Sequence, residues 1–253
     1  MTLVAWAVRD RLLFQPPAPS YSAGAAWLVT LVGEPNLACR YQPGLAGAPL
    51  VIISHGNAED LGGIGWWVRG LQAEGFSVLA YDYPGYGQSS GSATVATSTA
   101  AAVRVYDYAV GELGYPAERI VVYGRSLGGA LAAYQAQQRP VAGLILESAF
   151  TSAYRVMTRI AIVPGDVFNN LDVVASNPAP VLVVHGRRDR VIPVWHGQAL
   201  AAAASGSELY LDDAGHNDPS DPARRATVSA FIRRCMAPQP SVEGGAGPSG
   251  VAP

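Results

Sequence analysis

Short apolar runs alternate with longer stretches of helical period along most of the chain. The runs cover residues 26–32, 37–41, 50–54, 76–81, 120–123, 144–146, 181–184 and 208–211. They are rich in β-branched residues and largely unalternated, as strands buried on both faces of a parallel sheet require. The first two read as an antiparallel pair. Helix-like stretches lie between the later runs, at residues 64–74, 94–113, 127–138, 194–204 and 222–236. Strand and helix alternating in this way predict an α/β fold built from right-handed crossovers, with a mostly parallel, doubly wound sheet of about eight strands and helices on both faces. In such sheets ligands bind beyond the carboxyl ends of the strands.

Three regions break the alternation. Residues 152–177, roughly 25 in number, form the one longer insertion between strands, enough for a small lid or helix pair but not for a second domain. Residues 237–253 are rich in Gly, Pro and Ser and are expected to be a disordered tail. Residues 1–25 form an N-terminal segment whose apolar stretch, Leu3 to Val8, stops at Arg9. That stretch is too short for a membrane span and lacks the basic start of a signal peptide. A shortened anchor or an interfacial helix is the alternative. The main domain is thus expected over residues 26–236, without internal repeats.

Composition narrows the function classes. Hydrophobic residues make up 49% of the 253, charged residues only 14%, and the net charge is −2. No basic stripe or acidic tail gives a reason to expect nucleic acid or an anionic membrane as partner. Two distant cysteines, Cys39 and Cys235, are too few for a disulfide framework and sit in no metal-binding motif. A soluble, cytoplasmic protein without metal or organic cofactor is expected; oligomeric state is not legible.

The strongest chemical signal is Gly124-Arg125-Ser126-Leu127-Gly128-Gly129, between an apolar run and an Ala-rich helical stretch. A G-x-S-x-G at a strand-to-helix turn is a nucleophile elbow, in which the turn strains the serine backbone and presents the side chain. Gly124 and Gly128 are expected because a Cβ there would collide with the neighbouring strand and helix. The N-terminus of the helix beginning near Leu127 would point free N–H groups at charge forming beside Ser126. A serine needs a base, and the base needs a group to hold it. His216, in Asp212-Asp213-Ala214-Gly215-His216-Asn217, follows the last apolar run. Asp189, in His185-Gly186-Arg187-Arg188-Asp189, follows the run at 181–184. The order serine, acid, histidine, with room for one crossover helix between acid and base, fits this kind of site. Asp212, Asp213 and Asp218 compete for the acid's role but lie too close in sequence to His216 to orient its ring.

His55-Gly56-Asn57-Ala58 follows the run at 50–54. That loop is expected to supply one oxyanion donor, the Asn57 backbone N–H, while the Leu127 N–H supplies the other. The Asn57 side chain reads equally as a turn former. His196 is read as a surface residue on a helix, His185 as bonding backbone in a tight turn, Arg125 as structural, Glu147 as a satisfied buried carboxylate near the lid, and Trp66 and Trp67 as core or lid contacts. The apolar set Tyr154, Met157, Ile160, Ile162, Val163 and Phe168 is expected to line an acyl pocket.

Taken in order, HGNAEDL, YDYPGYGQSSG, YGRSLGG, ESAFTS, HGRRDRVIP and DAGHND resemble the serine-aminopeptidase-like branch of the α/β-hydrolases. More narrowly they resemble its small-lid members, which include bacterial esterases and eukaryotic protein depalmitoylases. The resemblance spans roughly residues 10–235 and implies the α/β-hydrolase fold and acyl transfer to water, with Ser126, Asp189 and His216 at the triad positions and Leu127 and Asn57 at the oxyanion positions. Residues 152–177 leave no room for the large helical cap of true prolyl aminopeptidases. The resulting expectation is a carboxylesterase-type serine hydrolase acting on a small-molecule ester or acyl thioester. The alternatives are a depalmitoylase-like acyl-thioesterase, an aminopeptidase or amidase, and, from another class, a non-catalytic receptor on the same fold.

Overall fold

The computed structural model describes residues 10–153, 167–218 and 221–237. Eight strands form one sheet in the order β1-β2-β4-β3-β5-β6-β7-β8. Strands β1 (Leu28–Leu31) and β2 (Leu37–Gln42) pair antiparallel, and β2 pairs antiparallel with β4 (Ser77–Tyr81). From β4 onward, through β3 (Leu50–Ser54), β5 (Ile120–Arg125), β6 (Gly143–Glu147), β7 (Val181–Gly186) and β8 (Glu208–Asp212), every pairing is parallel. The chain steps from β3 outward to β4 and then back past β3 to β5, so the strand order reverses between β3 and β5, beyond whose carboxyl ends a doubly wound sheet places its ligand.

The strand sequences explain the central sheet. All residues of β3, β4, β5, β6 and β7 are buried, so apolar side chains are needed in both directions of the pleat. Ile52, Leu79, Tyr81, Val122 and Val183 face a core layer closed by α2 (Val95–Gly111), α3 (Leu127–Gln138) and α5 (Trp195–Ala203). Val51, Ile53, Val78, Val121, Ile145 and Leu182 face the opposite layer, closed by α1 (Gly65–Ala73) and α6 (Pro222–Cys235). Helix α3 is buried at nine of its positions, which its run of Gly and Ala permits by letting the helix approach both the sheet and α2.

Local signals set the helix starts. The Thr94 hydroxyl accepts the Thr97 N–H while the Thr97 side chain takes the Thr94 N–H, a reciprocal cap on α2. Asp221 caps α6 through the Arg224 N–H at 2.6 Å, with Pro222 at the first position. Within the region expected to be a lid, α4 (Asn170–Ser176) is a short helix anchored by the Asn170 side chain, which donates to Phe150 O at 2.8 Å. Tyr154, Met157, Ile160, Ile162 and Val163 lie outside the described residues, as do the apolar stretch at 3–8 and the tail from 238. Among the described residues no helix is long and apolar enough to cross a membrane.

His196 is not on the surface; it is 1% exposed, at the start of α5. Its Nδ1 accepts the Thr151 N–H at 3.2 Å and lies 3.0 Å from the Thr151 hydroxyl, and Trp195 stacks on its ring at 3.6 Å. The histidine thus ties α5 to the loop after β6, a tertiary partner that the helical period does not reveal. Glu147 is buried and satisfied, by Arg224 at 2.8 Å and by the Tyr123 hydroxyl, on the α6 side of the sheet. Trp67 is a core residue set edge-on to Tyr123 at 4.6 Å, and the half-exposed Trp66 stacks on it.

Candidate active site

Ser126 stands between β5 and α3 at φ 54° and ψ −118°, a left-handed conformation that a β-carbon disfavours. The turn is possible because its flanks are glycines. A Cβ on Gly124 would overlap the Gly128 carbonyl, and one on Gly128 would overlap the Ser54 carbonyl at the end of β3. The elbow is therefore clamped between its own helix and the neighbouring strand, and the Ser126 N–H is fixed by Glu147 O at 2.9 Å. Leu127 is the first residue of α3, so its amide has no acceptor within the helix.

Two further loops bring partners to the serine. Past β7, a tight turn in which the Asp189 N–H meets Gly186 O sets Asp189 beneath the loop. Its Oδ1 accepts the Val191 and Ile192 N–H groups at 2.9 and 2.8 Å. Its Oδ2 lies 2.7 Å from His216 Nδ1. Burial opposes the charge on Asp189, but the His216 bond and the Ile192 N–H outweigh it and hold the carboxyl below its usual range. Past β8, His216 turns its other nitrogen, Nε2, to Ser126 Oγ at 3.1 Å. Ser126, His216 and Asp189 thus form one hydrogen-bonded chain drawn from three strand ends. The rival acids are elsewhere: Asp212 forks onto Arg224 at 2.7 and 2.8 Å, Asp218 accepts the Gly215 N–H, and Asp213 is exposed.

Arg125 and Glu59 join these loops, a role that the sequence did not signal for Glu59. The Arg125 guanidinium donates to Glu59 Oε1 at 2.6 Å, to the His216 carbonyl at 2.7 Å and to the Asn217 side chain at 3.1 Å. Glu59 Oε2 accepts the Gly56 N–H at 2.6 Å. A charge-assisted chain therefore runs from the loop after β3, past the elbow, to the histidine loop. Arg224 does the same below: its fork on Asp212 and its single bond to Glu147 pin the ends of β8 and β6. The only trace of Glu59 in the sequence is its place three residues after Gly56, close enough to bond back to that amide.

Neither the Asn57 nor the Leu127 N–H is taken up by a hydrogen bond among the described residues. His185 bonds backbone as expected, through Nε2 to Ile192 O at 2.8 Å, and burial pushes its pKa down. Phe168, the one expected wall residue within the described set, is half-buried at φ 57° with its ring edge-on to Phe14. Among the described residues no cluster of three or more His, Cys, Asp or Glu side chains is arranged to hold a metal ion.

Comparison with known proteins agrees with the architecture. The model of the family described as serine aminopeptidase, S33, matches residues 48–179. The uncharacterized protein Rv2307c of Mycobacterium tuberculosis is 33% identical over 248 residues, covering 90% of this chain and 87% of the relative. Human alpha/beta hydrolase domain-containing protein 17B is 29% identical over 246 residues, covering 83% of this chain and 85% of its own. Among solved structures, the esterase Pf2001 of Pyrococcus furiosus superposes with a TM-score of 0.70 at 19% identity, covering 88% of this chain and 99% of that one. A likeness at that identity speaks for the fold. The family match and the mycobacterial relative go further: the chain belongs to the serine aminopeptidase S33 family of α/β-hydrolases, and it is a hydrolase.

Proposed function

We propose that the protein is a serine hydrolase of carboxylic esters and acyl thioesters, working through an acyl-enzyme on Ser126. The observation that carries this reading is the continuous chain from Ser126 Oγ through His216, at 3.1 Å, to Asp189, at 2.7 Å, on a strained elbow at a helix N-terminus. His216 Nε2 accepts the Ser126 proton as Oγ attacks the substrate carbonyl. Negative charge gathering on the carbonyl oxygen is met by the N–H groups of Leu127 and Asn57, neither of which is engaged elsewhere among the described residues. Asp189 fixes the ring with Nδ1–H inward and stabilises the imidazolium. His216 then protonates the departing alkoxide or thiolate. A water molecule repeats the sequence in the second half-reaction: His216 takes its proton as its oxygen attacks the acyl carbon, the bond between that carbon and Ser126 Oγ breaks, and His216 returns the proton to Oγ, releasing the acid and the free serine.

On the sequence reading, the acyl group meets the apolar side chains of residues 152–177, namely Tyr154, Met157, Ile160, Ile162 and Phe168, of which Phe168 is the one among the described residues. A lid of roughly 25 residues covers part of such a cleft, so each buried methylene contributes about 0.8 kcal/mol only until the wall ends. Esters of short to medium chain are therefore the expected substrates.

The test is hydrolysis of p-nitrophenyl esters of graded length by the wild-type protein and by Ser126→Ala. Turnover should peak at short to medium acyl groups, and Ser126→Ala should remain folded and fall to near background. Normal turnover by folded Ser126→Ala would refute the mechanism. A maximum at palmitate would keep the mechanism and move the substrate to long-chain acyl groups such as those on protein cysteines.

A further inference from the structure

The Asn57 side chain is engaged in a way that turn formation does not explain. Its Nδ2 donates to Leu13 O at 2.8 Å, and its Oδ1 accepts the Gln15 N–H at 2.9 Å. Those two groups belong to chain positions i and i+2, so the primary amide stands where a peptide group of a paired strand would stand. Only this orientation of the amide gives both contacts a donor and an acceptor. Two more donors converge on the same oxygen, the Tyr86 hydroxyl at 2.6 Å and the Ala58 N–H at 3.1 Å. The Gln15 N–H is shared with the Tyr86 oxygen at 2.9 Å, which closes a small ring of hydrogen bonds.

The strap side of this contact is stiff. Gln15 precedes Pro16, which confines it to extended backbone, and Pro17 follows. Phe14, between the two bonding positions, is 4% exposed and packs into the core with its ring edge-on to Phe168. The loop side is strained. Ala58 is held at φ 57°, unfavourable for alanine, and the bond from its N–H to Asn57 Oδ1 is part of what holds it there.

We propose that residues 13–15 are a positioning strap for the oxyanion loop, acting through the side chain of Asn57. The inference rests on the function proposed above, in which the Asn57 backbone N–H is an oxyanion donor. Clamping the side chain to the strap fixes the torsions on either side of Cα57, and so the direction of that N–H. The strap also joins the loop to Phe168. The N-terminal segment, the oxyanion donor and one acyl-wall residue are thereby one mechanical unit, and Asn57 is chosen for its side chain although its backbone meets the substrate.

The experiment compares Asn57→Ala, Asn57→Asp and Gln15→Pro with the wild-type chain on a short p-nitrophenyl ester, with kcat expressed per site titrated by a fluorophosphonate. Each variant keeps an N–H at position 57. Losing a donor outright costs about 10²–10³ in kcat, so a donor left in place but unheld should cost Asn57→Ala about ten- to a hundredfold, with KM changed by less than about twofold. Asn57→Asp sets a carboxylate against the Leu13 carbonyl. Its kcat relative to wild type should be low at about pH 8 and rise toward about pH 5, as the carboxyl gains a proton to donate. Gln15→Pro removes the strap's backbone donor, and with it the bonds to Asn57 Oδ1 and the Tyr86 oxygen, and should lower kcat about fivefold or more at unchanged KM; it decides the matter if Asn57→Ala does not fold. Folded Asn57→Ala with kcat within about twofold of wild type, or a loss that appears in KM instead, overturns the strap while leaving the hydrolase reading intact. A wild-type protein that neither labels nor turns over removes both.

Discussion

His55 and His216 each face an aspartate beyond the carboxyl end of a strand, yet their surroundings set them apart. The His55 side chain is wholly buried, as is that of Asp82. Its Nδ1 lies 2.9 Å from Gly56 O, and its Nε2 faces Asp82 Oδ1 at 3.2 Å as an ion pair rather than a linear hydrogen bond. Tyr83 stacks on the ring at 4.2 Å, and its hydroxyl caps the His55 carbonyl. Asp82 is also bound by the Leu61 N–H and the Tyr21 hydroxyl. With an acceptor at each nitrogen, His55 is a closed pair that holds a proton. Burial lowers its affinity for that proton, but the close Asp82 carboxylate outweighs burial and carries its pKa above the usual value. The side chain of His216 is 10% exposed and spends one nitrogen on Asp189, keeping the other for a hydroxyl. A histidine beside a carboxylate is thus a component of structure or of chemistry according to whether its second nitrogen meets an acceptor or a proton donor.

Breaking the open pair should have the largest effect. Asp189→Asn permits the wrong ring tautomer and should lower kcat by about three to four orders of magnitude with the fold retained, whereas Asp213→Asn should change it by less than about twofold. Steady-state ester hydrolysis measures both, and the reverse ranking would mean that the acid has been misassigned. Breaking the closed pair should act on stability instead. His55→Gln leaves Asp82 without its buried counter-charge and should cost about 3–5 kcal/mol of unfolding free energy in denaturant titration.

Titration sharpens the contrast in sign. The folded-state pKa of His55 is raised, so its stabilisation is complete below the unfolded value and is lost as pH rises through the folded one. That of Asp189 is lowered, so its stabilisation is present above the unfolded value and is lost as pH falls through the folded one. Denaturation midpoints should therefore decline on both flanks, with His55→Gln flattening the alkaline side and Asp189→Asn the acid side. A steeper alkaline decline in His55→Gln would contradict the assigned direction.

The difference between the pairs also marks what the sequence discloses. The strands of the parallel sheet were legible because burial on both faces writes a continuous apolar run, and α2 and α6 because Thr94 and Asp221-Pro222 announce their starts. Ser126, Asp189 and His216 could be located because each directly follows a strand end within a short, glycine-containing turn. Contacts between distant segments left no such mark. Asn57 meets Leu13 and Gln15, Arg125 meets Glu59 and His216, and His196 meets Thr151, all across at least 42 positions. Asn, Glu and Arg in polar loops look alike before folding, and an amphipathic period places a histidine on a face without saying what packs over it. The Asp82 partner of His55 was hidden for the same reason.

Covalent capture by an organophosphorus reagent reports whether Ser126 Oγ is the nucleophile. The native protein is treated with a fluorophosphonate, and the adduct is located by peptide mass spectrometry. A single phosphonyl group should appear on Ser126, form more slowly by orders of magnitude in Asp189→Asn, and be absent from Ser126→Ala. An adduct on another residue, or none on a folded wild-type protein that hydrolyses esters, would contradict the account.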